Sequence, residues 1–593
     1  MINKKNKTTL KALFFLFFFM PMYEASAIKM ISGECIELIQ TSVRRQLARI
    51  AQNNRPYKER EPIKIIGAGI AGLTTAYELN QLGYPVEIIE ASSRVGGRVW
   101  THTFNSTGQY GELGAMRIPA SHDYTRHYID LVGLTGSLRP FITAHQNPNC
   151  FYHLRGKTLR MKDAANFIRN EYRLSPYEQE ILANNPPPEI LHRHLSNALQ
   201  QLYSRNKDST NEPDKEEEWG GLLGTTFLND DALGLERLSL GEFLRQRVES
   251  RDAQELVGVS TGLELWWDKA VSMFLREGIT QTGDRLEEIA GGFSRLPNAL
   301  ACILRKNKVN IRLNTEVVSI ELPSHPTQKI KFKTRQTDPS KWDSPPTDQP
   351  VEDEAADYVI CTIPFGVLRT MELKGFSPIK MEAIRNLSYA SSTKVLLHFT
   401  DRFWERGSPE ERILGGASMS DQITRSTYYP SDHVKIIPSL TPKKQKRFQG
   451  MVTVSDPLRV ESKIAFSADK PVPGVLLGSY NWGQDALRLG LLSPEERADV
   501  VITELKKIHP ELPKYLHPAE KHMSMSWDSY RWSKGAFCGM RPNDMRDYYY
   551  ASKKPEGNFY FAGEHCSLDP GWIQGAIKSG LDVVEELVKN HID

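Results

Sequence analysis

The sequence predicts an α/β fold, and three observations carry that prediction. A strand–turn–helix–strand unit with glycines at fixed spacing fills residues 62–98. A second strand and turn, Asn558–His565, run into a final helix near the C-terminus. Between them, from about 158 to 283, the pattern is largely helical.

The first unit reads IKIIGAGIAGLTTAYELNQLGYPVEIIEASSRVGGR over Ile63–Arg98. Ile63–Ile66 is a short apolar run, expected as a buried parallel strand. In the turn after it, Gly67 permits the tight bend and Gly69 lets the backbone approach a pyrophosphate. Gly72 lets the next helix pack closely on the strand, and Ala71 lies between. That helix, about Ile70–Leu82, aims free N–H groups and its positive dipole end at phosphates. Gly83 ends it, and Val86–Ile89 is the second strand. Glu90 closes that strand eighteen residues after Gly72. A carboxylate there accepts both hydroxyls of an adenosine ribose and repels a 2′-phosphate. Ala91 follows, and Ser93–Arg98 is a second glycine turn flanked by arginines, the groups that suit a phosphate.

At 593 residues the chain exceeds one simple core, so two or three domains are expected. Residues 1–27 hold four lysines against Glu24, which accounts for the whole formal charge of +3. The remainder is neutral overall and argues against a nucleic-acid partner. The same 27 residues read as a signal peptide: lysines precede ALFFLFFFMPM, and Ala25-Ser26-Ala27 gives the small-x-small cleavage pattern. The apolar run is short for a membrane span. Export to the periplasm or the exterior is expected, with no membrane attachment after cleavage; an uncleaved anchor is the competing reading. The six cysteines form no CxxC pair, which argues against a bound metal. Export permits disulfides, and Cys35–Cys150 is the pairing expected if one forms.

Along the rest of the chain, residues 28–61 read as a leading helix and linker, with Ile36, Ile39, Val43, Leu47 and Ile50 at helical spacing. In Tyr110–Pro119, YGELGAMRIP, Gly111 and Gly114 suggest backbone lying close to a ligand. The helical stretch is interrupted by NNPPPE at 184–189 and by a polar loop at 206–221, and Trp266 and Trp267 read as core. Asn310–Ile320 reads as one strand, 337–354 as a hairpin excursion, and Tyr358–Pro364 as a buried strand. Lys394 heads the strand Ser392–Leu397; on pattern alone it is a solvated strand-end lysine. Residues 431–450 read as a basic surface insertion. Tyr480 and Trp482 share one side of the strand 474–483. Gly571–Ala576 opens the last helix, whose N-terminus can neutralise developing negative charge.

Glu90 through Arg98 resembles the segment after the dinucleotide turn in the FAD-dependent amine oxidase superfamily, which includes monoamine, polyamine and L-amino acid oxidases. Tyr110–Pro119 resembles the run that passes beside the flavin in L-amino acid oxidases. There the arginine after Gly-x-Met binds the substrate α-carboxylate, and Arg117 matches it. The resemblance implies a Rossmann-type FAD-binding domain built from separated segments, 62–120, 284–390 and 553–593. It further implies a mixed-sheet substrate domain, 121–157 and 391–552, and a helical insertion, 158–283. It implies FAD contacts at Gly114, Ala115, Met116, Arg117, Val317, Glu564, Gly571, Trp572 and Ile573. Lys394 matches the lysine that holds a water beside the flavin N5, and Tyr480 the tyrosine that joins the arginine on the carboxylate. Trp482, Ala536, Gly571 and Trp572 fall where the family surrounds the substrate. No cysteine aligns where some monoamine oxidases bond the flavin, and Cys538 is displaced, so noncovalent FAD is expected.

The activity implied is that of an L-amino acid oxidase. An amino acid passes hydride to the flavin, the imino acid hydrolyses to a 2-oxo acid and ammonia, and dioxygen reoxidises FAD to give hydrogen peroxide. The partners are then a small-molecule amino acid and dioxygen, with a homodimer left open. Three alternatives stand beside it: a monoamine or polyamine oxidase, against which Arg117 argues; an amino-acid 2-monooxygenase; and a flavin-bound scaffold without turnover.

Overall fold

The computed structural model describes residues 61–206, 234–262, 267–280, 285–325, 327–338, 349–436, 460–462, 464 and 470–590. The expected signal peptide, nearly all of the leading helix and linker, and Trp266 lie outside them. So does the polar loop from 207 onward.

Ile63–Ile66 and Val86–Ile89 form where expected, with the helix Ile70–Gln81 between them. They sit inside a five-stranded sheet whose neighbours come from far along the chain. The order is Asn310–Arg312, Val86–Ile89, Ile63–Ile66, Val359–Cys361, Phe559–Phe561, and every pairing is parallel. Buried on both faces, such strands are mostly apolar, and Ile65, Ile88 and Ile360 are fully buried in one core. The final helix, Ile573–Asn590, lies against Ile70–Gln81. A Cβ at Gly580 would stand 3.1 Å from the Ala71 carbonyl and 2.6 Å from Thr75 Oγ1, so glycine allows that approach.

Asn310–Ile320 is not one strand. It splits into Asn310–Arg312, in the parallel sheet, and Thr315–Glu321, in a separate four-stranded sheet. Asn314 turns the chain between them at φ 54°, a left-handed conformation that asparagine tolerates. Ile330–Gln336 pairs antiparallel with Val351–Ala356, and most of the hairpin excursion expected at 337–354 lies outside the described residues.

A seven-stranded sheet forms the second body of the fold, in the order His522–Ser526, Ser392–Phe399, Gly474–Trp482, Ser426–Tyr428, Ala417–Ser420, Phe151–Leu154, Lys157–Arg160. It is mixed: Ala417–Ser420 runs parallel to Phe151–Leu154, and the other pairings are antiparallel. Ser392–Phe399 lies between two other strands and is buried at every residue, so Lys394 is no solvated strand-end lysine. The start of the expected surface insertion is also buried, with Ser431 at 2% and Val434 at 0% exposure. Helices between Pro176 and Thr280 pack into one apolar cluster, and Trp267 lies half-buried at its edge. Cys150 is buried, and the pairing expected for it falls on Cys35, which lies outside the described residues. Among the described residues no helix is long and apolar enough to cross a membrane.

Candidate functional site

One cleft, about 2560 Å³ with its open mouth included, runs from the glycine turn of the parallel sheet to the mixed sheet and the helices. Gly67, Gly69 and Ala71 line one end. The helix Ile70–Gln81 begins at Gly69 without a side-chain cap and without an acidic residue in its first turn, which leaves its N-terminus suited to an anion. Gly67 has φ 105°, and a Cβ there would meet Thr362 Oγ1 at 2.7 Å. Gly72 does not reach the cleft; a Cβ on it would lie 2.1 Å from the Gly67 carbonyl oxygen, so its role is packing.

The second glycine turn lies against the first: Gly69 bridges Gly96, and Gly96 N–H donates to Ala68 O at 2.8 Å. Glu90 is buried at the strand end. Its Oε2 accepts Ala68 N–H at 2.7 Å, and its Oε1 accepts Ser92 N–H at 2.9 Å and Ser92 Oγ–H at 2.6 Å. Ala91 and Val317 line the cleft beside it. The two arginines act chiefly inside the protein. Arg94 braces the turn through Gly97 O at 2.6 Å and lies over the Trp100 ring. Arg98 lines the cleft with its Nη1 donating to Glu564 Oε1 at 2.6 Å and Ala536 O at 3.0 Å. Glu564 also accepts the N–H groups of Cys538 and Gly571, so this one carboxylate joins three separated segments. Cys538 is buried, its thiol pushed well up by burial, and it is not among the cleft-lining residues.

Midway along, Gly114, Ala115, Met116 and Arg117 form one wall. A Cβ on Gly114 would lie 2.0 Å from the Arg98 carbonyl oxygen, so glycine is required for that run to cross the second turn. Lys394, 1% exposed, projects from the mixed sheet onto this wall. Its Nζ donates to Gly114 O at 2.7 Å, Glu112 O at 3.2 Å and Met116 Sδ at 3.2 Å, and lies 4.4 Å from the Tyr480 ring centre. Burial, with Arg117 nearby, lowers its pKa while Glu112 opposes the fall. Lys394 and Tyr480 are register partners on adjacent strands. Tyr480 packs edge-on to Trp482 at 4.5 Å. Burial raises the Tyr480 phenol, and the charge of Arg117 acts on it in the opposite sense. Arg117 lies 5.9 Å over Trp572, which meets His122 edge-on. Ala536, Gly571 and Ile573 complete this part of the cleft.

Sequence reasoning missed the far end. There Pro188, Ser260, Thr261 and Met273, from the helices, face the same cleft as His145, Met419 and Tyr428. Gly262 brings that helix end to Trp482 and Met419: a Cβ there would lie 3.5 and 3.7 Å from them. No motif marks these residues, because helix-to-sheet packing alone brings them together. Thr362 was also missed. Its hydroxyl donates to Ile66 O at 2.9 Å and so holds the glycine turn to a distant strand.

A dinucleotide fits these residues. An uncapped helix N-terminus, Gly69 with nothing within 4 Å of its would-be Cβ, and a carboxylate at the strand end provide for its phosphates and ribose. The cleft then continues to a lysine, an arginine and a tyrosine.

The family model described as flavin containing amine oxidoreductase matches residues 70–588. The chain is 30% identical over 535 residues to the flavin-dependent L-tryptophan oxidase RebO of Lentzea aerocolonigenes, covering 88% of this chain and 97% of that protein. It is likewise 30% identical over 549 residues to an L-amino-acid oxidase of Siganus canaliculatus, covering 92% and 88%. Among solved structures, cyclohexylamine oxidase from Brevibacterium oxydans superposes with a TM-score of 0.60 at 16% identity, covering 90% of this chain and 99% of that one. Putrescine oxidase bound to putrescine does so at 0.58 and 15%, covering 89% and 99%.

Proposed function

Because this chain belongs to the flavin containing amine oxidoreductase family, with FAD as its cofactor, we propose that it is an exported L-amino-acid oxidase, converting L-amino acids to 2-oxo acids with release of ammonia and hydrogen peroxide. The observation that carries this reading is Arg117 in one cleft with Tyr480 and Lys394. An α-carboxylate entering a narrow cleft must give up water, which is tolerable only where a fixed cation and donors replace it. The guanidinium offers a planar pair of donors for the two oxygens, and the phenol adds a third. A substrate lacking the carboxylate would leave that cation unmatched. The names of the L-tryptophan oxidase and the fish L-amino-acid oxidase point the same way.

Bound FAD supplies the two-electron acceptor and its reoxidation by dioxygen. The protein's own residues orient and exclude. Arg117 and Tyr480 anchor the carboxylate, so the Cα–H is held in one direction. Trp572 and the Gly571 backbone flank the amine, Trp482 borders the side chain, and Ala536 leaves room for a bulky one. Lys394 presents a cation beside the wall formed by Gly114 and Met116. With no cysteine lining the cleft among the described residues, FAD is held noncovalently. The lysines, apolar run and Ala25-Ser26-Ala27 at residues 1–27 support export.

A peroxide and ammonia assay across L-amino acids, their D-enantiomers and the corresponding decarboxylated amines tests this reading. L-amino acids should be oxidised and the amines turned over poorly. Equal efficiency with amines would replace the assignment with a monoamine oxidase. Recovery of an amide product in place of the 2-oxo acid would replace it with a monooxygenase.

A further inference from the structure

The strand Tyr110–Glu112 separates two groups that the proposed reaction does not pair. Lys394 lies on its cleft side, and the Glu112 side chain is absent from the cleft lining. The groups in contact with the lysine Nζ are of the kind that stabilises an ammonium: the carbonyls of Glu112 and Gly114, the Met116 thioether and the Tyr480 ring face. Around the Glu112 carboxylate are two donors, Thr101 Oγ–H at 3.0 Å and Phe293 N–H at 2.9 Å. Thr101 Oγ1 in turn accepts Ser294 N–H at 3.0 Å, which directs its proton toward Glu112. Each end of the pair is therefore surrounded as an ion.

We propose that Glu112 is the counter-ion of Lys394: it holds the lysine charged beside the flavin and acts on the cofactor only through that charge, as a positioning residue. This rests on Lys394 facing the flavin, as the proposed function has it, but not on the identity of the substrate.

The electrostatic surroundings agree. Burial and the charge of Arg117 push the Lys394 ammonium toward the neutral form, and Glu112 is the group that opposes them. Tyr480 is the other titratable group against the lysine, and burial keeps its phenol protonated. Burial raises the Glu112 carboxyl to about 7, and the Phe293 N–H, Lys394 and Thr101 are what hold it from rising further. Behind Glu112 lies Glu288, pushed well up by burial, by Asp432 and by Glu112 itself. These push Glu288 toward its neutral form and away from competing as the ionised carboxylate. Asp432 beyond it is taken up by Tyr110 and His433.

The test is the reduction potential of the bound flavin as a function of pH, which needs no substrate. In wild type the potential should step down where Lys394 loses its proton, and Lys394→Met should abolish that step. Glu112→Gln keeps the shape of the side chain and removes the charge. It should move the step to lower pH by about 1–3 units, and Glu112→Asp should move it back. In the Lys394→Met background, Glu112→Gln should change nothing further. If Glu112→Gln purifies without flavin, Thr101→Val, which removes one donor to the carboxylate, should give a smaller shift in the same direction. A step that stays in place in Glu112→Gln, or an effect of Glu112→Gln that persists without Lys394, would overturn the proposal. Either result would leave the amino-acid assays untouched.

Discussion

Arg117 and Glu90 line one cleft; in the proposed function each meets a different ligand group, so the consequences of losing them differ. Removing one partner of a buried, hydrogen-bonded charge pair typically costs about 2–5 kcal/mol. At 1.36 kcal/mol per tenfold, that is roughly 30-fold to several-thousand-fold in kcat/KM. Arg117→Ala is expected to lower kcat/KM for L-amino acids by that much. Tyr480→Phe, which removes only the third donor, should have a milder effect, and steady-state kinetics compares the two. Glu90 is different because its carboxylate already ties Ala68 and Ser92 together. Glu90→Ala should therefore weaken FAD both by removing the ribose acceptor and by loosening the turn. Titration of apoprotein with FAD should show a higher Kd, and an unchanged Kd would place the ribose elsewhere.

At the scale of the element, the glycine turn separates packing from binding. A methyl on Gly72 would lie 2.1 Å from the Gly67 carbonyl oxygen, so the helix Ile70–Gln81 would have to move off its strand. Overpacking of this kind costs about 1–3 kcal/mol. A methyl on Gly69 meets no protein atom within 4 Å and occupies cleft space. Gly72→Ala is thus expected to lower the Tm of the apoprotein. Gly69→Ala should leave that Tm in place and reduce the FAD retained on purification. Equal Tm losses in the two apoproteins would contradict this division of roles. The second turn follows the same logic: Gly96 and Gly97 both have positive φ, and Arg94 holds the loop from inside.

At the scale of the whole molecule, a buried charge network fastens the cleft wall to the mixed-sheet body. Tyr110, at the start of the strand that leads to Glu112, donates to Asp432 at 2.7 Å. Asp432 contacts His433, His433 contacts Glu405 at 2.8 Å, and Arg402 joins Glu405 to Gln109. Burial pulls the His433 pKa down, but its bonds to Asp432 and Glu405 outweigh this and raise it above 6.5. A raised folded-state pKa stabilises fully below the unfolded value and loses that contribution as pH rises through the folded one. For Asp432 burial acts upward, yet His433 and Tyr110 bring its pKa to about 2. Its contribution is present above the ordinary carboxylate value and is lost as pH falls toward 2. His433→Gln is therefore expected to lower Tm near pH 6 and to narrow its gap from wild type as pH rises past the folded-state pKa. Thermal melts across pH 5–9, an interval of about four units around the ordinary histidine value, check this. A gap that stays constant would remove His433 from the network's pH response.

The amino-acid sequence by itself determined the local devices. The strand–glycine turn–helix–strand unit, the position of Glu90 and the glycine at 114 follow from sterics and periodicity acting over a few residues, and they appear where expected; Gly111 does not, because it lies outside the cleft lining and a Cβ on it would meet Leu396 at 2.7 Å, so its role is packing on the mixed sheet. It also placed Arg117 and Tyr480, because the family resemblance sits in short runs. Tertiary structure alone decided the rest. By pattern Lys394 reads as a strand-end lysine, and only the family resemblance points it to the flavin; its contact with Gly114, 280 residues away, needs its strand seated between two others. Arg98, read as a phosphate ligand, meets Glu564 across 466 residues. Asn310–Ile320 looks continuous because local propensity carries no record of which sheet each half joins. The far wall of the cleft, from Pro188 to Tyr428, and the pairing of Glu112 with Lys394 arise the same way. Such contacts are set by how elements pack, and packing couples residues whose spacing in sequence carries no periodic signal.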